Sequence, residues 1–386
     1  MPITFPLIPD VGLRESWEWK TDVITTIDGT EQRVSIRPRP RISQTANFST
    51  LTQAEKRTFL TVLATNIKNV FETALYAYST RITQTTLDGN DTIFFNPALL
   101  PIADGGILML FNIQTGDIQQ FDIFSVNADG ATLTANVVGD IDSSYIVTPA
   151  MEAIIADGAG FSLDSITGDL NIQFDSWVDP AVQRQGTVAS LTTYDSLPVL
   201  ERNFLVGADQ DFSFPREFID GDAGIRRFAS QYNQPLISTS WEFIIQRVLD
   251  PADFDYWRLF FDTVKGSWKP FLKSTQEPDL SLSSGLVQGG TSVSVNEIEH
   301  SALLHPYEIY RRIEIEYGDK TISRHTISSS TNGTFTVTPA IPNDPKVATV
   351  NRISYLLKMR MDDTLTFNHG SLVTEVRFDV VTTNEG

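Results

Sequence analysis

The chain reads as one pattern written twice, and that constrains its fold more than any other feature. Ile27-Asp28-Gly29 is echoed by Ile219-Asp220-Gly221, about 200 residues further on. Thr52, a candidate helix start, is matched by Asp250, and Gly116-Asp117 by Gly318-Asp319. The turn glycines Gly130 and Gly168 are matched by Gly333 and Gly370. No match is long. The five recur in one order, and their separation widens slowly and then levels off, as duplication followed by small loop insertions would leave it. Two copies are too few for a solenoid, so two related domains are expected, residues 1–192 and 193–386. Within each, a helix-plus-sheet module (1–85 and 193–280) is expected to precede a β module (86–192 and 281–386).

Local patterns fill in these units. Thr52 and Glu55 have capping-box spacing, in which each side chain satisfies the other's free backbone N–H. Phe59, Val62, Leu63 and Ile67 follow at helical spacing. Asp250-Pro251 is a second start, because proline at the first helical position loses only an N–H that is unpaired there anyway. Trp257, Phe260, Phe261 and Val264 form that helix's apolar stripe, and Gly266 stops it. Most of the remainder reads as strand. Ser238–Val248 is β-branched and aromatic, and 118–126, 131–138, 309–317 and 334–338 are short runs bounded by Gly-Asp, Asp-Gly or Asn-Gly turns. Residues 281–294 read as loop. The expected class is mainly β with a few helices, a β-rich α+β chain. It would hold two tandem copies of a helix on an antiparallel sheet, each followed by a small β meander or barrel.

Composition excludes several chemistries. There is no cysteine, so disulfides, thiol catalysis and zinc–thiolate sites are ruled out. Net charge is −19, from 48 acidic and 29 basic residues, which opposes a phosphate grip and specific nucleic-acid binding. The longest apolar run, 107–111, is far short of a membrane span, so no membrane insertion is expected. The first residues show no basic-then-apolar leader, so synthesis in a cytoplasm is expected.

Candidate sites are few. His300 and His305 are five apart, not the four that would set both on one helical face for a metal. The glycine-rich pieces lack a phosphate-loop lysine, and no nucleophile elbow is present. No catalytic, cofactor or metal residues are therefore assigned. Two features remain. Arg33, Arg37, Arg39 and Arg41 form a basic stripe in an acidic chain, and Pro38 and Pro40 bar that segment from being a central strand. It reads either as a docking surface for an acidic partner or as an edge strand guarded by charge and proline. Trp17 and Trp19 would share one side of a strand, as core anchors or as interface anchors.

Two stretches resemble a known group. Trp19-Lys20-Thr21-Asp22-Val23, then Asp28-Gly29-Thr30-Glu31-Gln32-Arg33 and the arginine stripe, resemble the opening of bacteriophage tail structural proteins. Phe260-Phe261, Lys265-Gly266 and Phe271 are similar to the helix, glycine and aromatic strand of distal tail proteins of long-tailed phages and gene transfer agents. The resemblance covers about residues 17–75 and 212–275; the first copy has Lys68-Asn69 where the second has Lys265-Gly266. It implies a virion structural protein with no catalytic residues. Such a chain would sit in a distal tail or baseplate ring around the DNA channel, linking tail tube protein to the baseplate hub or receptor-binding proteins. Its partners would include copies of itself, as a trimer with pseudo-sixfold symmetry or a hexamer. An acidic channel wall would let DNA slide by like-charge repulsion. The alternatives are a tail-associated cell-wall hydrolase, which needs a cleft with displaced carboxylate pKa values, and a carbohydrate-binding receptor protein with exposed aromatics.

Overall fold

Short strands bounded by turn dipeptides dominate the sequence, and the computed structural model is mainly β. It describes residues 3–4, 13–26, 30–37, 39–48, 52–66, 69–163, 168–177, 190–203, 210–214, 216–220, 226–229, 235–245, 251–370 and 373–383. In the first half these form β1 (Ile3–Thr4), β2 (Leu13–Glu18), β3 (Thr21–Thr25), β4 (Glu31–Ser35), β5 (Arg41–Phe48), α1 (Gln53–Asn66), β6 (Phe71–Ala74), β7 (Thr80–Arg81), β8 (Thr92–Phe94), β9 (Ile107–Asn112), β10 (Ile118–Asn127), β11 (Gly130–Leu133), β12 (Tyr145–Leu163) and β13 (Gly168–Ser176). In the second half they form β14 (Thr193–Tyr194), β15 (Leu197–Leu200), β16 (Gln210–Ser213), β17 (Glu217–Asp220), β18 (Arg226–Ala229), β19 (Leu236–Ile245), α2 (Pro251–Val264), β20 (Phe271–Ser274), β21 (Ser292–Ser294), α3 (His300–Leu303), β22 (Arg312–Tyr317), β23 (Ile322–Thr331), β24 (Thr334–Thr338), β25 (Val350–His369) and β26 (Thr374–Thr382).

The strand pairings of the first half recur in the second. Antiparallel β2–β5–β13–β12 is matched by β16–β19–β26–β25. β12 continues to β6 and β9 as β25 continues to β20 and β22. The meander β9–β10–β11–β8 is matched by β22–β23–β24–β21. The short parallel pair β1–β6 is matched by β15–β20, and the hairpin β3–β4 by β17–β18. Irregularities recur too. β12 slips against β13 between Ile155 and Ala159, and β25 slips against β26 between Met361 and Leu365. A long strand thus serves two sheets, one end in the meander and the other beside the helix-bearing strands. The helix-plus-sheet part is completed by strands that come after residues 85 and 280.

α1 and α2 are each 14 residues long and lie between corresponding strands. α1 opens on the expected capping box: Thr52 N–H donates to Glu55 Oε2 at 2.7 Å, and Glu55 N–H to Thr52 Oγ1 at 3.3 Å. Phe59 is buried and Val62 half-buried, while the side chains of Leu63 and Ile67 lie outside the described set. α2 is apolar on a wider face. Phe254, Trp257, Phe260, Phe261 and Val264 are all buried. Trp257 packs on Phe243 of β19 (centroids 4.5 Å apart) and Phe261 on Phe378 of β26 (5.6 Å). One apolar cluster runs through both halves.

The landmarks fall near, but not at, corresponding ladder positions. Gly130 pairs with Asn127 where Thr334 pairs with Thr331, and Gly333 lies in the turn with φ +74°. Gly168 opposes Leu163 as Thr374, not Gly370, opposes His369. Gly116 and Gly318 lie in corresponding turns, yet the positive φ of Gly116 (+77°) is carried there by Lys320 (+68°). Ile219 and Asp220 sit in β17, whereas residues 27–29, Gly221 and Asp250 lie outside the described residues.

Candidate assembly interface

The two halves meet at one ladder. β2, from the first half, pairs with β5 on one side and on the other with β25, from the second half: Leu13 opposes His369, Glu15 opposes Phe367 and Trp17 opposes Leu365. The sheet therefore runs without a break from β12 to β16. Alternation along β2 decides what lies beneath it. Leu13, Glu15 and Trp17 point inward, and Arg14 and Glu18 outward.

Trp17 and Trp19 are 3% and 2% exposed, with ring centroids 5.9 Å apart. Trp17 meets Phe367 edge-on at 5.5 Å, and Phe367 meets Phe261 of α2 at 5.8 Å. The aromatic core of the second half thus continues under the first strand of the other half. Beside it lies a buried polar cluster. Glu15 accepts from Tyr78 Oη at 2.8 Å and from the Trp17 indole N–H, and His369 Nε2 stands 3.9 Å from its other oxygen. His369 Nδ1 lies 3.0 Å from Thr374 Oγ1. A slip of one residue would send Glu15 and both tryptophans to the wrong face, so this cluster and the aromatic rings fix the register.

Asp363 closes the other end of the ladder. Its carbonyl accepts the Trp19 N–H at 2.8 Å. One carboxylate oxygen accepts Thr21 N–H at 3.0 Å, and the other accepts Ser267 N–H at 3.1 Å and Ser267 Oγ–H at 2.6 Å. Gly266, which ends α2 at φ +65°, lets this approach occur. A Cβ there would lie 2.9 Å from Asp363 Oδ1 and 3.1 Å from Trp19 Cβ.

The two tryptophans are thus brought together at a junction inside the chain. The arginine stripe is not one surface. Arg33 is buried against Glu31 at 2.9 Å, a carboxylate shared with Arg360 of β25 at 3.2 Å. Arg37 donates to the Glu18 carbonyl at 3.1 Å. Arg39 and Arg41 are exposed, and Pro38 lies outside the described residues. Arg41 opens β5, an interior strand flanked by β2 and β13, so the guarded-edge reading does not describe it. The His300 and His305 rings are neighbours, with centroids 6.2 Å apart, while His325 and His369 lie in other surroundings. His300 packs tilted against Phe335 at 4.5 Å, and His325 is held between Ser323 Oγ and the Pro339 carbonyl, each at 2.7 Å. Burial lowers the pKa of both rings. Among the described residues no helix is long and apolar enough to cross a membrane.

Sequence reasoning missed the far end of the sheet. β16 is exposed along its whole length. A cavity of about 480 Å³ opens beside it, lined by Gln210, Thr239, Trp241, Lys273, Arg352 and Met359. In the first half the ladder positions of Gln210 and Thr239 are held by Glu15 and Gln44, tied to Tyr78 Oη and to the Ala74 carbonyl. Lys273 is 1% exposed and donates to the Arg202 carbonyl at 2.5 Å. Loss of hydration pulls its pKa down to about 7, against the opposing pull of Glu314.

No family model matches this chain, and no curated protein matches it.

Two outcomes are expected. Gly266→Ala should cost about 1–2 kcal/mol from its positive φ alone, with a further loss from Asp363 and Trp19 being pushed apart. Guanidinium unfolding followed by tryptophan fluorescence measures it, and an unchanged midpoint would show that the approach at Gly266 is unimportant. Lys273 has a folded pKa below its unfolded one, so it opposes folding fully below pH 7 and is relieved as pH rises from about 7 towards 10. Lys273→Met should therefore be more stable than the native chain below pH 7, with the gap closing over that window. Thermal melts across pH 6–10 check the sign.

Proposed function

We propose that this chain is a ring-forming structural subunit of a bacteriophage tail, in the distal tail or baseplate, made of two tandem copies of one module. It would link the tail tube to the hub or the receptor-binding apparatus and surround the DNA channel. The observation that carries this reading is the recurring pairing scheme, joined across the halves by one continuous sheet over a buried tryptophan pair. Such a construction fixes the angle between neighbouring modules, which is what a ring wall needs. The net charge of −19 supports a channel lining that does not bind DNA. The sequence resemblance over residues 17–75 and 212–275 supplies the tail context.

The test is the particle itself. Purified tailed virions that encode this chain should contain it at a fixed copy number by quantitative mass spectrometry. Gold-labelled antibody should mark the tail tip. Labelling along the tube, on the head or nowhere would overturn the assignment, as would clearing of peptidoglycan by the purified chain.

A further inference from the structure

The junction inside the chain has a donor edge and an acceptor edge. The donor is β2, carrying Trp17 and running on to Trp19. The acceptor is the distal end of β25, residues 363–369. Corresponding ladder positions give each edge a counterpart. Gln210 opposes Thr239 as Glu15 opposes Gln44, so Phe212 takes the place of Trp17, and Phe214 that of Trp19. Ala159 opposes Ile172 across the β12 slip as Leu365 opposes Phe378 across the β25 slip, so residues 157–163 take the place of 363–369. Asp157 then stands where Asp363 stands.

Among the described residues these two counterparts have no second partner. Among the described residues, β16 pairs only with β19, and residues 156–163 of β12 pair only with β13. The aromatic pair differs accordingly. Trp17 and Trp19 are 3% and 2% exposed, whereas Phe212 and Phe214 are 53% and 57% exposed. An unpaired edge strand presenting two adjacent exposed aromatics is an aggregation hazard unless something covers it. Residues 157–163 hold the backbone edge that corresponds to the one closed internally by β2.

We propose that copies of this chain join head to tail, with β16 of one chain added antiparallel to residues 157–163 of β12 in the next. Asp211 then opposes Gly160 of the neighbour, and Phe212 opposes its Ala159. The Phe214 N–H reaches the Asp157 carbonyl, as Trp19 reaches Asp363. Phe212 and Phe214 take, in the junction between chains, the places that Trp17 and Trp19 take in the junction inside the chain. Donor and acceptor lie on opposite ends of the same sheet, so the contact is heterologous and closes into a ring if its rotation permits. Internal and external junctions alternate, so three chains present six modules. The proposal rests on the ring part of the reading above, not on the tail assignment.

The native chain has no cysteine, which makes paired cysteines a clean probe. Directly opposed residues in an antiparallel pair have Cβ atoms about 4.5–5.5 Å apart, close enough for a disulfide after slight adjustment. Ser16→Cys with Thr366→Cys probes the internal junction, and on oxidation it should give a crosslinked band of monomer size. Asp211→Cys with Gly160→Cys should give a ladder of covalent multimers that ends at the ring size. Either single variant, and the slipped pair Asp211→Cys with Phe161→Cys, should stay unlinked. Phe212→Asp, at an exposed position, should keep the native circular dichroism and melting temperature. It should also raise the dissociation constant of the assembly more than about tenfold. A chain that stays monomeric at high concentration, an in-register pair that gives no multimers, or a Phe212→Asp variant that assembles normally would each overturn the proposal. A ring that forms through this edge but is absent from virions would leave the junction standing and remove the tail assignment. Virions that contain the chain while the in-register pair stays unlinked would do the opposite.

Discussion

The structure depends on the ladder between β2 and the distal end of β25. It is the point where the sheet of residues 13–176 becomes the sheet of residues 210–382. Backbone pairing alone would allow the two halves to slide. The side chains beneath prevent it: Trp17 is wedged on Phe367, Glu15 is held by Tyr78 beside His369, and Asp363 binds Trp19, Thr21 and Ser267 at once. A buried carboxylate is costly unless hydrogen-bonded, and that cost penalises every other register. Stability and geometry therefore come from the same residues.

This arrangement explains why the two ends of the sheet differ although their pairing schemes correspond. Where a neighbour is present, inside the chain, the donor edge carries two tryptophans under the sheet. Where the sheet ends, at β16, the same positions carry phenylalanines exposed to solvent, and a cavity holding Lys273 stands beside them. The buried lysine belongs to the same account. Its ladder position is Thr73 in the first half, a residue without a charge to hydrate.

Much of this was legible in the residues. The mainly-β class followed from Gly-Asp, Asp-Gly and Asn-Gly turns between short β-branched runs, and 334–338 forms the strand expected there. The α1 capping box and the α2 start at Pro251 are encoded locally and appear as read. The long strands β12 and β25 were not legible, because each changes partners midway and carries a slip that breaks the alternation. The glycine landmarks pointed to the right turns but the wrong positions. Positive φ can be carried by Lys320 as well as by glycine, so glycine identity does not fix register. The partners within the arginine stripe were not legible, because charge alone does not reveal them: Glu31, which holds Arg33, is also bound by Arg360, far away in sequence. Trp17 and Trp19 were visible as a pair, but Phe212 and Phe214 gain their meaning only from the ladder.

In the proposed assembly one sheet continues from chain to chain through the counterparts of the two edges that join the halves. Amide hydrogen exchange of the purified chain, compared between dilute and assembled samples, tests it at the backbone. Backbone N–H groups of residues 211–214 and 158–162 should become protected together on assembly, with the β2 amides protected in both states. Residues 211–214 that keep exchanging freely in the assembled state would contradict it.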